Sequence, residues 1–249
     1  MTEEDKQISA VKQSFEQSFA EGAFYNRQTQ DAAHLAQILS FLPLKDGIRI
    51  LDLGTGSGYL AFAAAQRMPS AEITGLDIVE KALEANQLRA EQDGITNIRF
   101  VSYDGSRFPF ADGSFDLVVT RYVLHHVPDI LRCVTEISRV LQPGGFFFLS
   151  DPAPNAIDSE RFVDRFMNLK PDGHIRFYTK EEWIRTAAAC GLQYANFFDS
   201  TIRFPRRYTP EYSALLEQTA PDILRSYDIS HSGDEIFITE QVNNMLFTK

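Results

Sequence analysis

Glycines and carboxylates whose spacing suits a nucleoside ligand lie in the first half of the chain. The run Gly54-Thr55-Gly56-Ser57-Gly58 separates an apolar stretch from a helical one, and Asp52 stands two residues before it. A strand, a glycine-rich turn and a helix in this order bring backbone amides close to a ligand. Taken alone, the glycines also fit a tight turn that binds nothing.

Two more carboxylates end the next two apolar runs. Asp77 ends the first, where an acidic residue can accept hydrogen bonds from both ribose hydroxyls of an adenine nucleoside. Asp104 and Gly105 end the second, where a carboxylate can meet an adenine amino group. Each acid by itself also fits a helix cap or a turn. Together with Asp52 they predict an acidic rim, which suits a cationic cofactor better than one that carries a pyrophosphate.

The elements that must position these residues alternate along the chain. Apolar runs typical of buried strands alternate with runs of helical spacing, which predicts βαβ units and a doubly wound parallel sheet. Ligands of such sheets bind at the carboxyl ends of the strands, where the glycines and carboxylates stand. The predicted strands are 48–53, 72–76, 97–103, 114–120, 146–150, 194–200 and 242–248. The predicted helices are 4–20, 29–42, 60–67, 80–93, 129–141, 159–169, 179–190 and 210–227, and a turn is predicted at 143–145.

These motifs resemble the class I S-adenosylmethionine-dependent methyltransferases, in particular the methyltransferase type 11 branch that includes ubiquinone and menaquinone biosynthesis enzymes. The resemblance covers about residues 45–151 and rests on LDLGTGSGY, GLDIVEKAL, VSYDGSRFPFADGSFDLVVTRYVLHHVPD and EISRVLQPGGFFFLSDP. It implies S-adenosyl-L-methionine as the cofactor. It also implies an α/β fold with a doubly wound, mostly parallel seven-stranded sheet, whose last strand is antiparallel, and helical cover segments.

The resemblance assigns cofactor-binding roles to individual residues. The methionine part would be held by Asp52, Gly54, Thr55, Gly56 and Gly58. The nucleoside part would be held by Asp77 at the ribose, Ile78 on the adenine ring, and Asp104 and Gly105 at the adenine edge. Arg121 and Tyr122 follow the fourth predicted strand and would border the methyl group.

Histidine is the side chain that titrates near neutral pH, so it is the natural general base where the methyl acceptor needs one. His125 and His126 follow the fourth predicted strand, and at most one of two adjacent side chains is expected to face the pocket. His174 lies after the fifth strand, at the same edge of the sheet. We expect His126 and His174 to be the best candidates for a base. The alternatives are a pocket wall for the histidine pair and a surface turn for His174, ahead of a capping box at Thr179.

We expect one domain over residues 1–249, with a helical lid region at 1–44, a cofactor-binding core at 45–151, and a substrate-side insertion with C-terminal strands at 152–249. Tyr25 lies in a helix-breaking stretch and is the lid residue expected to touch the cofactor. The segment 153–178 is also rich in large apolar groups broken by Gly, Pro and Asp. Two such covers predict a small acceptor that is partly apolar or aromatic.

Composition limits the partners of the chain. A net charge of −10 argues against nucleic acid, and an acidic, polar N-terminus and short apolar runs argue against a signal peptide and membrane insertion. Cys133 and Cys190 lack metal-ligand spacing, which predicts reduced thiols, no metal site and a cytoplasmic location. The oligomeric state is not indicated.

Two other classes of function fit the sequence less well. A nucleic-acid base methyltransferase is disfavoured because no Asn/Asp-Pro-Pro-aromatic motif follows the fourth strand, whereas a protein acceptor stays open. A nicotinamide dehydrogenase of the short-chain type is disfavoured because no tyrosine has a lysine four residues later, although a non-methylating nucleotide binder would not need that pair.

Overall fold

The computed structural model describes residues 3–20, 30–170 and 172–249 and is organised around one mixed β-sheet. The strands are β1 Arg49–Leu53, β2 Glu72–Asp77, β3 Ile98–Ser102, β4 Phe115–Arg121, β5 Leu141–Ala153, β6 Gln193–Arg207, β7 Ser230–Ser232 and β8 Glu235–Thr248. Their order is β3-β2-β1-β4-β5-β8-β6, with β7 added beside β8. Strands β1 to β5 are parallel, and β8 is antiparallel to both β5 and β6. The expected sheet, mostly parallel with its last strand antiparallel, is therefore confirmed, and the short β7 was not foreseen.

Helices cover both faces of the sheet because its strands are apolar on both sides. The helices are α1 Glu3–Ala20, α2 Ala32–Phe41, α3 Tyr59–Arg67, α4 Glu80–Gln92, α5 Ile130–Val140, α6 Phe162–Asn168, α7 Lys180–Ala189, α8 Pro210–Glu217 and α9 Pro221–Ser226. Adjacent strand residues point to opposite faces. Leu51 and Val118 therefore pack with the apolar face of α5 and with α7, whereas Ile50 and Leu117 pack with α2 and α3.

Strands β6 and β8 continue past the edge of the parallel sheet. The pairing of β5 with β8 ends at Ala153 and Gln241, but β8 goes on pairing with β6 as far as Glu235 and Arg207. We call this projecting two-stranded part, residues 201–207 and 235–241, the ribbon. One face of the ribbon packs on α6 and α8 in a third apolar cluster, which includes Phe204. The ribbon and these helices stand beside the carboxyl ends of β4 and β5.

Four predicted elements differ clearly from the structure. The strands predicted at 194–200 and 242–248 are longer because each includes its half of the ribbon. The helix predicted at 210–227 is two helices, since Pro221 lacks a backbone N–H and begins α9 instead of continuing α8. The turn predicted at 143–145 lies within β5, next to a shift in the register between β4 and β5.

Helix α1 lies across the carboxyl edge of the sheet. A Cβ atom added at Gly105 would come within 2.7 Å of the Ile8 side chain, and one at Gly173 within 2.5 Å of Val11. Lys12 also forms an ion pair with Glu80 of α4 at 3.1 Å, although an exposed pair of this kind adds little stability. Among the residues described, no helix has both the length and the apolar character needed to cross a membrane.

Candidate active site

A cavity of about 290 Å³ opens at the carboxyl ends of β1, β2 and β4. The glycine loop, residues 54–58, and the residues after β2 and β3 form one wall, and the ribbon and α6 form the opposite wall. Ile8, Val11 and Phe15 of α1 line it as well, so that α1 covers part of its mouth. The segments expected to bind the cofactor and those expected to cover the acceptor therefore share one cavity.

The glycine loop has a backbone conformation that side chains disfavour. Gly54, Gly56 and Gly58 have φ angles of +67°, +52° and +74°, in the left-handed region that glycine adopts without a steric penalty. The Gly54 amide donates to the Leu76 carbonyl at 2.7 Å, which ties the loop to β2. A Cβ atom on Gly54 would lie 2.3 Å from the side chain of Val123. The loop therefore depends on glycine both for its φ angles and for its close packing.

Asp52 joins the glycine loop to the start of α3. It is 3% exposed, and its Oδ2 accepts hydrogen bonds from the Thr55 hydroxyl at 2.8 Å and from the Ala61 amide at 3.1 Å. Burial raises the pKa of Asp52 to about 7, against the lowering effect of these two donors. Asp52 and Thr55 both line the cavity. Asp52 thus positions the loop and also presents a carboxyl group to the cavity.

Asp77 has the same double role from the end of β2. Its Oδ2 accepts from the Gly56 amide at 2.8 Å, its Oδ1 accepts from the Val79 amide at 2.9 Å, and the residue is 7% exposed. Burial raises its pKa, and the backbone donors oppose that change. A carboxylate oxygen has more than one lone-pair site, so each oxygen can still accept from a ligand in the cavity.

The structure brings most of the predicted cofactor residues to one place. Those that line the cavity are Asp52, Gly54, Thr55, Gly56, Asp77, Ile78, Gly105, Arg121 and Tyr122. Gly58 lies behind the loop as the N-cap of α3, and its φ angle, not ligand contact, explains its identity. Tyr25 lies outside the described residues.

Asp104 differs from the expectation for the adenine edge. It is exposed and is not part of the cavity lining. Its Oδ1 accepts hydrogen bonds from the Ser106 hydroxyl and amide and from the Arg107 amide, and these donors lower its pKa. The carboxylate is therefore the turn-stabilising group of this loop, and the neighbouring Gly105 and Tyr103 line the cavity instead.

Arg121 and Tyr122 lie where β4 ends, between the two walls. Tyr122 has a φ of +58°, an unfavourable value for a residue with a side chain, which costs about 1–3 kcal/mol. The Arg121 guanidinium lies over the rings of Tyr59 and Tyr122, at 4.4 and 4.0 Å from their centroids. Its Nε and Nη2 have no hydrogen-bond partner among the described residues. Both residues line the cavity, and Tyr122 also packs against the third apolar cluster.

The histidines are arranged differently from the prediction. His126 lines the cavity, and its ring contacts Phe15 of α1 edge to face. His174 does not line the cavity: its side chain is 0% exposed, and its Nε2 pairs with Asp164 Oδ1 at 2.9 Å. Because Asp164 also accepts from the Phe177 amide, this pair fastens the segment before α7 to α6. The expectation that His174 faces the pocket is therefore not met.

His125, which the sequence analysis did not select, also lines the cavity. Its Nδ1 is 2.9 Å from Asp151 Oδ1, and Asp151 is 1% exposed. Burial lowers the pKa of His125 and raises that of Asp151. Both His125 and His126 face the cavity because the backbone forms a single turn of 3-10 helix over Leu124–His126, which spreads neighbouring side chains by less than a strand would.

Two charged residues of the ribbon, Glu240 and Arg206, complete the far wall, and sequence reasoning missed both. The signal was present: Glu240 occupies an inward position in the alternation Ile236, Ile238, Glu240, Val242. The predicted final strand began only at residue 242 and so excluded it.

Comparisons with known proteins agree with this arrangement. A family model described as Methyltransferase domain, Methyltransf_31, matches residues 44–191. The uncharacterized methyltransferase YcgJ of Bacillus subtilis is 33% identical over 147 residues, which are 59% of this chain and 57% of that protein. A demethylmenaquinone methyltransferase of Lactococcus lactis is 39% identical over 100 residues, 40% of either chain. The chain thus spans about half the length of the curated relatives it matches.

Solved structures share the fold over a longer part of the chain. The crystal structure of YcgJ from Bacillus subtilis has a TM-score of 0.76 and 24% identity, and the match covers 88% of this chain and 99% of that one. The [4+2]-cyclase SpnF also matches, with a TM-score of 0.60, 18% identity and coverage of 85% and 79%. Structural similarity at such low sequence identity shows only that the fold is shared. The family model and the fold together show that the chain belongs to the methyltransferase domain family and has its class I, Rossmann-like architecture.

Proposed function

We propose that the protein transfers a methyl group from S-adenosyl-L-methionine to a small acceptor that is partly apolar or aromatic. The observation that carries the proposal is the shared cavity, in which the Asp52–Asp77 loop wall faces a wall built largely of apolar side chains. Relatives named as methylating demethylmenaquinone and 27-O-demethylrifamycin SV support a small-molecule acceptor.

The loop wall fits the cofactor by its chemistry. Two buried carboxyl groups, Asp52 and Asp77, oppose a pyrophosphate but suit a positively charged sulfur and a ribose diol. Ile78 and Val79, with Ile8 and Val11 of α1, offer apolar surfaces for an adenine ring. The bound cofactor supplies a methyl group that is already activated by the charge on its sulfur.

The chain therefore has to align the acceptor and exclude water. Tyr122 stands between the two walls in its strained conformation, and Phe15 and His126 close the α1 side. On the acceptor side, Met167, Phe177 and Phe204 form an apolar surface. These contacts favour a flat or compact apolar molecule.

We place the general base at His125, for acceptors that must lose a proton. It lines the cavity, and the contact of its Nδ1 with Asp151 Oδ1 at 2.9 Å fixes the orientation of the ring. His126 keeps its sequence-based candidacy because it also lines the cavity. The role proposed for His174 is positional, through Asp164.

A cytoplasmic location also stays a prediction. It rests on the two cysteines, which are both free, with Cys133 buried.

A crystal structure with S-adenosylhomocysteine tests the proposal. We expect the adenine beside Ile78, the ribose at Asp77, and the sulfur pointing past Tyr122 toward the ribbon. A ligand seated elsewhere, or a sulfur facing away from the apolar wall, would contradict it.

A further inference from the structure

Glu240 is a buried carboxyl group that the fold does not satisfy. The residue is 0% exposed and lines the cavity. Neither Oε1 nor Oε2 has a hydrogen-bond partner among the described residues. Buried polar groups in native proteins are nearly always hydrogen-bonded, and an exception at a cavity points to a ligand.

Its position in the ribbon would suit an aliphatic residue if packing were its only purpose. Ile236, Ile238 and Val242 occupy the equivalent positions on the same face of β8, and all three belong to the third apolar cluster. On the paired strand, Ile202 lies directly opposite Glu240. A carboxyl group at this point weakens the fold, so its presence needs another explanation.

The charges around Glu240 do not neutralise it. Arg206 lies on the same face of the ribbon as Glu240, but the two form no ion pair among the described residues, and Arg206 Nε also lacks a hydrogen-bond partner there. Other titratable groups of the described residues that interact electrostatically with Glu240 are three carboxyls and two phenols: Asp151, Asp164, Asp172, Tyr122 and Tyr227. Burial and then these carboxylates raise the pKa of Glu240 to about 8, against the effect of Arg206.

We propose that Glu240 recognises the acceptor by binding a hydrogen-bond donor, an amine or a hydroxyl, that the acceptor presents on its apolar or aromatic frame. This inference rests on the proposed function, because it names the chemistry of that acceptor. The donor satisfies one or both carboxyl oxygens, and Ile202, Phe204 and Met167 contact the frame. Arg206 stands where it can bind a neighbouring oxygen of the same molecule.

The test uses three fragments of similar size with the protein saturated by S-adenosylhomocysteine. Benzylamine and benzyl alcohol each carry a donor, whereas benzyl methyl ether carries none. Dissociation constants are measured by ligand-observed NMR for the wild type, Glu240→Gln, Glu240→Leu, and Gln241→Leu as the control. Gln241 is the exposed neighbour on the opposite face of β8.

We expect at least one donor fragment to bind the wild type about tenfold more tightly than the ether, which corresponds to about one good hydrogen bond. Whichever of the two donor fragments binds more tightly shows whether the acceptor's donor is an amine or a hydroxyl. Glu240→Leu should abolish the preference and Gln241→Leu should keep it. Glu240→Gln should abolish a preference for benzylamine over the ether. It should retain part of a preference for benzyl alcohol over the ether.

Equal affinity for the donors and the ether, no binding of any donor fragment, or an unchanged preference in Glu240→Leu would overturn the proposal. If Glu240→Leu does not fold, the decision rests on Glu240→Gln, in which an unchanged preference for benzylamine would overturn it. The affinity of each variant for S-adenosylhomocysteine is measured in the same samples. Loss of the donor preference with intact cofactor affinity concerns Glu240 alone, whereas a wild type that does not bind S-adenosylhomocysteine contradicts the proposed function.

Discussion

Asp77 accepts hydrogen bonds from the Gly56 amide of the glycine loop and from the Val79 amide, and it also lines the cavity, so its replacement affects the ligand and the loop together. Asp77→Ala removes two charge-assisted hydrogen bonds to the ribose, each of about 1.5–3 kcal/mol. We expect its affinity for S-adenosylhomocysteine to fall about 100-fold or more in calorimetry. Asp77→Asn keeps an acceptor for one loop amide and should lose less.

The exposed Glu84 of α4 provides the matched control, since Glu84→Ala removes a nearby acid outside the cavity. Affinity should be unchanged in this variant. An Asp77→Ala protein that binds as tightly as the wild type would disprove the ribose assignment.

Glu240 makes stability depend on pH in a defined direction. Its pKa is raised from 4.5 to about 8 in the folded protein, so the folded state binds a proton that the unfolded state has released between these values. The free energy of unfolding therefore falls as the pH rises from about 5 to 8. Glu240→Gln removes this contribution, which is on the order of 5 kcal/mol.

Denaturant unfolding at pH 5, 7 and 9 checks this prediction. The stability of Glu240→Gln relative to the wild type should increase steadily with pH. A constant difference across the range would show that Glu240 ionises as freely in the folded chain as in the unfolded one, although Arg206, Asp151, Asp164 and Asp172 all interact with it electrostatically.

Among the elements, α1 has the position of a cover. Val11 is the buried apolar residue of its described side chains, and Ile8, Val11 and Phe15 face the cavity. A ligand beneath α1 adds contacts to that face. We expect S-adenosylhomocysteine to slow hydrogen exchange at residues 6–17, with α5 as the unaffected control, and equal exchange with and without ligand would contradict a lid.

The elements of the parallel core could be predicted from the sequence to within one or two residues at most ends. Strands β1, β2 and β4 are buried on both faces, and the apolar runs of β1 and β2 end at Gly54 and Asp77. The same runs placed Asp52 and Asp77 at one edge, because the carboxyl ends of parallel strands meet there.

The ribbon could not be predicted in the same way because charged residues interrupt its pattern. Arg203, Arg206 and Glu240 lie in the ribbon, where β6 and β8 pair with each other beyond the end of the pairing with β5. The choice between His125 and His126 was equally out of reach, because it depends on the 3-10 turn at Leu124–His126 and on the tertiary contact with Asp151.

At the scale of the whole molecule, the central claim concerns one shared cavity. The carboxyl edge of the sheet would bind the nucleoside on one side of it, and the ribbon and α6, which we call the cap, close the other side. The glycine loop is the part of that cavity whose disruption leaves the cap untouched. Gly56 has a φ of +52° and donates its amide to Asp77, so a β-branched residue there strains the loop and enters the space of the ligand.

The most direct measurement is a calorimetric titration of S-adenosylhomocysteine into the wild type and Gly56→Val, with NAD as the comparison ligand and circular dichroism to confirm that both proteins are folded. We predict saturable binding of S-adenosylhomocysteine to the wild type, no detectable binding to Gly56→Val, and no binding of NAD. Native affinity in folded Gly56→Val, or a wild type that binds NAD and not S-adenosylhomocysteine, would contradict the account.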